Sequence, residues 1–257
     1  MAKSLRHDGR RANELRPAVI TPHYVPTAMG SCLIQVGQTR VICTASLERG
    51  VPDWLVGAGK GWLTAEYGML PASTPQRKKR PIAKPDGRAA EIQRLIGRCL
   101  RGAVDTSRLG ENTLYLDCDV LTADGGTRTA AITGAYVALA LAAARGVRQG
   151  LFQAGVLGKP VAAVSVGVVD GRALLDLDYR EDVAAEVDMN VAMTSGGRFI
   201  EVQATGERDC FSQPQLQAML ALARQGIGRL LAVQRQAIAQ VSHGEHRENR
   251  GRQGKSE

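Results

Sequence analysis

Hydrophobic and polar positions alternate along Thr113–Leu121, where Leu114, Leu116, Cys118 and Val120 are separated by Tyr115, Asp117 and Asp119. A period of two predicts a strand with one buried face. The chain then passes Ala123-Asp124-Gly125-Gly126, a turn that glycine makes easily. From Thr127 to Arg145 it is almost wholly Ala, Leu, Val, Ile and Thr. A helix apolar on most sides is a buried helix. The same period of two predicts strands over Ser31–Val36 and Thr39–Ser46, joined at Gly37-Gln38, and over Trp62–Leu70. Further on it predicts Val161–Val169 and Arg172–Tyr179 around a type I′ signal at Asp170-Gly171, then Val187–Thr194 and Phe199–Thr205.

A helical period runs from Arg88 to Val104, with Ile92, Ile96, Cys99 and Ala103 on one stripe and Glu91, Arg94, Arg98 and Arg101 on the other. Ser212 and Pro214 open a last helix whose apolar face includes Leu216, Met219, Leu220, Ala223, Ile227, Leu230 and Leu231. Four stretches carry no period, and Leu47–Gly61, which contains Pro52, is one of them. Residues 1–16 predict a polar, basic, extended arm. Ala72–Asp86 (ASTPQRKKRPIAKPD) predicts a long exposed loop with Arg77, Lys78, Lys79, Arg80 and Lys84. From His243 to Glu257 the pattern predicts a disordered polar tail.

Charge sharpens this picture. The 257 residues carry a formal net charge of +8, which favours a polyanionic partner. No apolar run outside the buried helix approaches a membrane span, and that helix is interrupted by Thr133 and Gly134, so no membrane association is expected. The opening MAKSLRHDGR lacks the apolar segment of a secretory signal. Cys32, Cys43, Cys99, Cys118 and Cys210 are an odd set without metal-site spacing, as expected of reduced thiols in a cytoplasmic protein. The scattered His7, His23, His243 and His246 suggest no metal site.

Two stretches carry candidate chemistry. The first turn of a helix presents unpaired N–H groups and favours an anion, so Gly126, Thr127 and Arg128 suit a phosphate. A tight strand-to-helix connection with Thr127 as its N-cap would read the same way. The turn is neither a Walker loop nor a dinucleotide fingerprint, because the closing residues and glycine spacing are wrong. Arg88, at the start of its helix, is placed to reach such an anion. In a basic protein, Asp176, Asp178, Glu181, Asp182, Glu186 and Asp188 crowd into thirteen residues. Asp182 is expected to end one strand and Asp188 to sit on the next. Six residues of extended chain span about 20 Å, so the two can cooperate only if Val183–Glu186 folds back. They could then hold Mg²⁺ or do acid–base work beside a phosphate.

The segments RHDGRRANELRP, GKGWLTAEYGMLP, GRAAEIQRLIGRCLR, DCDVLTADGGTRTAAITGA and LDLDYREDVAAEVDMNVAMT, in this order from residue 6 to about 205, resemble bacterial ribonuclease PH. These are phosphorolytic 3′ exoribonucleases that trim transfer RNA precursors. The resemblance implies an α+β fold of two related βαβα halves, similar to domain 2 of ribosomal protein S5. It implies one domain over residues 1–242, with the halves meeting near 146–160. It also implies a homohexamer built as a trimer of dimers. Phosphate would be held by Arg88, Gly126, Thr127 and Arg128. Asp182 and Asp188 would be catalytic and would bind Mg²⁺ or Mn²⁺. RNA would be gripped by Arg77, Lys78, Lys79 and Arg80 of a loop spanning 72–84. The family usually has arginine after its MLP, whereas Ala72 stands there.

The expected activity is phosphate-dependent 3′→5′ removal of nucleoside 5′-diphosphates from transfer RNA precursors and other RNA 3′ ends. It serves transfer and ribosomal RNA processing. Two other readings stand beside it. A metal-dependent hydrolytic nuclease would want more carboxylates and no phosphate cradle. A non-catalytic RNA-binding ring subunit would be expected to lack the arginines or aspartates that this chain has.

Overall fold

The computed structural model describes residues 6–80 and 86–253, with side chains of the last helix described as far as Val241. Lys84 and residues 254–257 of the expected tail lie outside the described residues. Among the described residues, nine strands form two sheets. The first contains β1 (Ala18–Pro22), β2 (Gly30–Val36), β3 (Thr39–Arg49), β4 (Trp62–Met69) and β5 (Asn112–Thr122), in the order β1-β2-β3-β5-β4. The second contains β6 (Val161–Val169), β7 (Arg172–Leu175), β8 (Val187–Thr194) and β9 (Phe199–Gly206), in the order β7-β6-β8-β9. All pairings are antiparallel except β4 with β5, which the helix α1 (Gly87–Arg101) joins in parallel.

Helix α2 (Thr127–Arg148) lies between the sheets, against β2 and β3 on one side and β6 on the other. That position explains its composition: a stripe would not suffice where both flanks are covered. By length and hydropathy it could cross a membrane, but most of it is buried inside the protein. Helix α4 (Gln213–Gln253) covers the far face of the second sheet. Alternation on β8 divides accordingly. Val187, Met189, Val191 and Met193 point into the core under α4, and Ala192 into the core around α2. A buried glutamine on α4 ties three elements: Gln234 Nε2 donates to Thr133 O of α2 at 2.9 Å and to Val161 O of β6 at 2.8 Å.

The predicted α+β class and the strands of both sheets are observed. The turn at 170–171 has both residues at positive φ (49° and 67°), as a type I′ hairpin requires. Ser212 and Gln215 cap α4 reciprocally, Ser212 N donating to Gln215 Oε1 at 2.8 Å.

Four expectations change. The strand after the 170–171 turn stops at Leu175, and a short helix, α3 (Tyr179–Ala184), follows. Asp178 and Glu181 form a capping box there, a local signal that outweighs the strand pattern. Asp182 is therefore on a helical turn, not at a strand end. β1 was not expected, because Ala18–Pro22 ends in proline; it is an edge strand, where proline is tolerated. Helix α4 runs on to Gln253, through much of the stretch expected to be disordered. Glu245, Arg247, Glu248, Arg250 and Arg252 are good helix formers and no proline interrupts them, so the helix continues despite Gly244 and Gly251. Finally, the arm does not extend into solvent over residues 6–16. Arg6, Arg10 and Arg16 are buried.

Candidate active site

The cradle begins where β5 ends. Gly125 (φ 73°) and Gly126 (φ 65°) both take left-handed backbone, which a side chain would strain. Gly125 is also a close approach. A Cβ there would lie 2.6 Å from Leu177 O and from the Asp178 carbonyl carbon. The segment leading into α3 is thus packed directly on the turn. Gly126, not Thr127, is the N-cap of α2, and no side chain caps the helix from that position. Thr127 is the first helical residue. Its hydroxyl is hydrogen-bonded to the Tyr67 hydroxyl of β4 at 2.8 Å.

Arg88 stands exposed in the first turn of α1, above its N-cap Asp86. Arg128 stands half-buried in the first turn of α2, with Nη1 3.4 Å from Gln203 Oε1 of β9. Gln203 is held in turn by Glu91 Oε1 of α1 at 3.2 Å. The two guanidinium groups act on the same neighbours. Burial raises the Tyr67 hydroxyl pKa, and both Arg88 and Arg128 oppose that rise.

Asp188 projects from β8, half-buried, with Oδ2 accepting from Asn190 Nδ2 at 3.1 Å. Burial first, then the charge of Asp182, pushes its pKa up to about 6, against the pull of Arg128 and the Asn190 bond. Asp182 is raised too, by burial, with Arg88 and Arg128 working the other way. So Asp182 and Asp188 feel one another and Arg128, and Asp182 also feels Arg88. The carboxylates and the arginines thus lie within electrostatic reach of one another, from four elements: α1, α2, α3 and β8. Glu207, just past β9, raises both aspartates as well. Its backbone N donates to Glu186 O at 2.9 Å, and Arg208 Nη2 reaches Val183 O at 2.7 Å, so the end of β9 straps α3 down.

The donors present are hard oxygens, which suit Mg²⁺ or Mn²⁺. Among the described residues, no third ligand atom closes on Asp182 and Asp188. The one group of three that does cluster is His7, Asp8 and Asp178. There Asp8 is bonded to Arg10 at 2.5 Å and Asp178 to His7 at 2.7 Å.

The basic loop divides. Arg77, Lys79 and Arg80 are exposed. Lys78 is not free as expected: its Nζ lies 3.6 Å from Asp86 Oδ2 and 3.4 Å from Met69 sulfur, so it pins the loop to the start of α1. The cysteines are free thiols. Cys32, Cys43 and Cys118, distant in sequence, are register neighbours across β2, β3 and β5. Burial raises the Cys43 pKa well above that of an ordinary thiol.

Sequence reasoning missed Tyr67, Asn190, Glu207 and the buried arginines. For Asn190 the signal was present, two positions from Asp188 on the same face. For Tyr67 and Glu207 it was not, because both reach the cleft only through sheet register.

Residues 14–144 match domain 1 of the 3′ exoribonuclease family, and residues 159–226 match its domain 2. Among solved structures, the chain is similar to Rrp46 of rice (Oryza sativa), with 19% identity, a TM-score of 0.74, and coverage of 91% of this chain and 100% of that one. It is also similar to the Archaeoglobus fulgidus exosome with RNA bound to the active site, with 20% identity, a TM-score of 0.75, and coverage of 89% and 92%. An archaeal exosome core gives 20%, 0.69, and 88% and 89%. At these identities the structural likeness establishes the fold. With the matched domains spanning both sheets and the cleft between them, the chain belongs to the 3′ exoribonuclease family of ribonuclease PH.

Proposed function

We propose that the protein is a phosphate-dependent 3′→5′ exoribonuclease of the bacterial ribonuclease PH type, acting on transfer RNA precursors. The observation that carries this reading is the cleft itself. Two arginines and a hydroxyl, fit for a phosphate, face two carboxylates whose protons are held unusually tightly. A hydrolytic nuclease has no use for a second phosphate site, and a purely structural subunit has no use for a carboxyl poised near pH 6.

Inorganic phosphate sits between Arg88 and the turn of Gly126, Thr127 and Arg128. One of its oxygens attacks the phosphorus of the last internucleotide bond. The P–O3′ bond breaks, and the departing 3′-oxygen takes a proton. Asp188, with its pKa near 6, is the better donor of the two. Asp182 holds the negative field that keeps that proton in place. Arg88 and Arg128 stabilise the charge on the pentavalent phosphorus. The products are a nucleoside 5′-diphosphate and an RNA one residue shorter. One phosphate linkage replaces another, so the reaction runs both ways. With both carboxylates ionised, Asp182 and Asp188 would instead hold Mg²⁺ or Mn²⁺, which would neutralise the like charges beside the phosphate in place of the Asp188 proton.

The RNA body would be held by Arg77, Lys79 and Arg80 through backbone phosphates. A homohexameric ring would give each cleft its long substrate path. The test is incubation with a 3′-extended transfer RNA, with and without phosphate. Phosphate-dependent release of diphosphates is expected. Release of monophosphates in phosphate-free buffer would mean hydrolysis instead.

A further inference from the structure

Arg16 lies outside every group assigned above, yet it touches both walls of the cleft. Its side chain is 6% exposed. On one side, its backbone N and its Nε and Nη2 bind the Asp176 carboxylate at 2.7, 3.0 and 2.7 Å, and Nη2 lies 3.3 Å from Leu177 O. On the other side, Nη1 donates to Asp124 O, and Nη2 lies 3.4 Å from Gly125 O. Asp176 and Leu177 lead straight into α3, which carries Asp182. Asp124 and Gly125 lead straight into α2, which carries Thr127 and Arg128.

The remaining contacts deny each wall other freedom. Thr39, wholly buried, donates its hydroxyl to Gly125 O at 2.7 Å and accepts from Asp124 N at 2.9 Å. Arg6 Nε binds Glu181 Oε1 at 2.6 Å, and its Nη1 binds Leu175 O at 2.7 Å, so α3 is anchored from behind. Arg16 binds both sides with charged hydrogen bonds, beside the direct packing of Gly125 on Leu177 and Asp178 and the bond from Tyr179 N to Asp124 Oδ1 at 3.4 Å. A planar guanidinium has a fixed reach and several fixed directions, which a lysine ammonium lacks.

We propose that Arg16 is a positioning residue that sets the separation between the phosphate cradle and the Asp182–Asp188 pair. This rests on the phosphorolytic reading above. It makes the start of the chain part of the catalytic frame.

Arg16→Lys and Arg16→Ala are assayed in the full-length protein on a short oligoribonucleotide and on transfer RNA. A misplacement near 1 Å predicts a kcat loss of about 100-fold. The phosphate KM should rise, while the dissociation constant for transfer RNA should stay within about twofold, because the RNA loop is untouched. Methylguanidinium should restore part of the activity of Arg16→Ala. A merely structural role would not raise the phosphate KM of a cooperatively folded variant while leaving transfer RNA binding unchanged. Wild-type kcat and phosphate KM in Arg16→Lys would overturn the proposal. If the Arg16 variants do not melt cooperatively, Thr39→Val takes their place. It removes two hydrogen bonds from the turn whose carbonyls Arg16 also binds, and unchanged kcat and phosphate KM in it would overturn the proposal equally. The wild-type control separates the two claims: wild type releasing monophosphates overturns the phosphorolytic reading, whereas an active wild type with indifferent variants overturns only the role of Arg16.

Discussion

Asp188 shows how a single residue carries both the chemistry and a cost. Its folded pKa near 6 lies above the ordinary aspartate value of 3.8, so the folded state binds the proton more tightly than the unfolded chain does. Its unfavourable contribution is therefore absent below about pH 4, grows between pH 4 and 6, and is complete above that. Asp188→Asn should stabilise the metal-free protein by roughly 1–2 kcal/mol at pH 8, after allowing for partial exposure, and by almost nothing at pH 4. Thermal melts in chelator at the two pH values check this; equal shifts at both would contradict it. Turnover should collapse in the same variant. Asp182→Asn should behave alike, and the double variant should be hardly worse than either, because the pair acts as one unit. Gly125→Ala should destabilise strongly, since the new Cβ would meet the backbone of Leu177 and Asp178 as well as taking positive φ. Asp188, Arg88 and Arg128 were legible as residue types in the right local setting, and Asp182 as a residue type alone, since it sits on α3 and not at a strand end. Tyr67 was not. Its only sequence signal is strand alternation, which points equally well to an ordinary buried tyrosine.

At the scale of elements, periodicity served where burial is one-sided and failed where polar groups do the folding. β5, α1, α2 and β8 were legible from apolar spacing. α3 was not. Its six residues hold no apolar stripe, and its stability comes from a capping box and from buried Arg6 and Arg10. For the same reason the 6–16 segment looked like a solvated arm: burying arginines takes partners more than 150 residues away, which no local pattern reports. The basic loop allows a test of its own. Replacing Arg77, Lys79 and Arg80 with alanine should weaken RNA binding with little sequence bias and flatten its salt dependence by about 2–3 units of slope. Activity on a dinucleotide should be nearly unchanged. Salt titrations of transfer RNA binding check this. Lys78→Ala should act differently, because Lys78 pins the loop to Asp86: it should raise loop mobility by hydrogen exchange without changing the slope as much.

At the scale of the molecule, large apolar side chains remain on the surface, among them Trp54 (66% exposed), Val56 (66%) and Tyr179 (61%). Trp54 stacks edge-on against Trp62, and Arg101 lies over the Trp62 ring, 4.7 Å from its centroid. Exposed aromatics with an arginine beside them are what subunit contacts contain. A ring is therefore expected at micromolar concentration, and Trp54→Glu should break it; sedimentation of the two proteins checks this. A wild-type monomer with full activity on transfer RNA would contradict the ring.

The claim on which the rest depends is that phosphate held by Arg88 and Arg128 is the nucleophile. It is tested most directly by supplying ¹⁸O-labelled inorganic phosphate with a 3′-extended transfer RNA and locating the label by mass spectrometry. The account expects the label in the β-phosphate of the released nucleoside diphosphates, with no release when phosphate is withheld. Unlabelled nucleoside monophosphates carrying a water oxygen would contradict it.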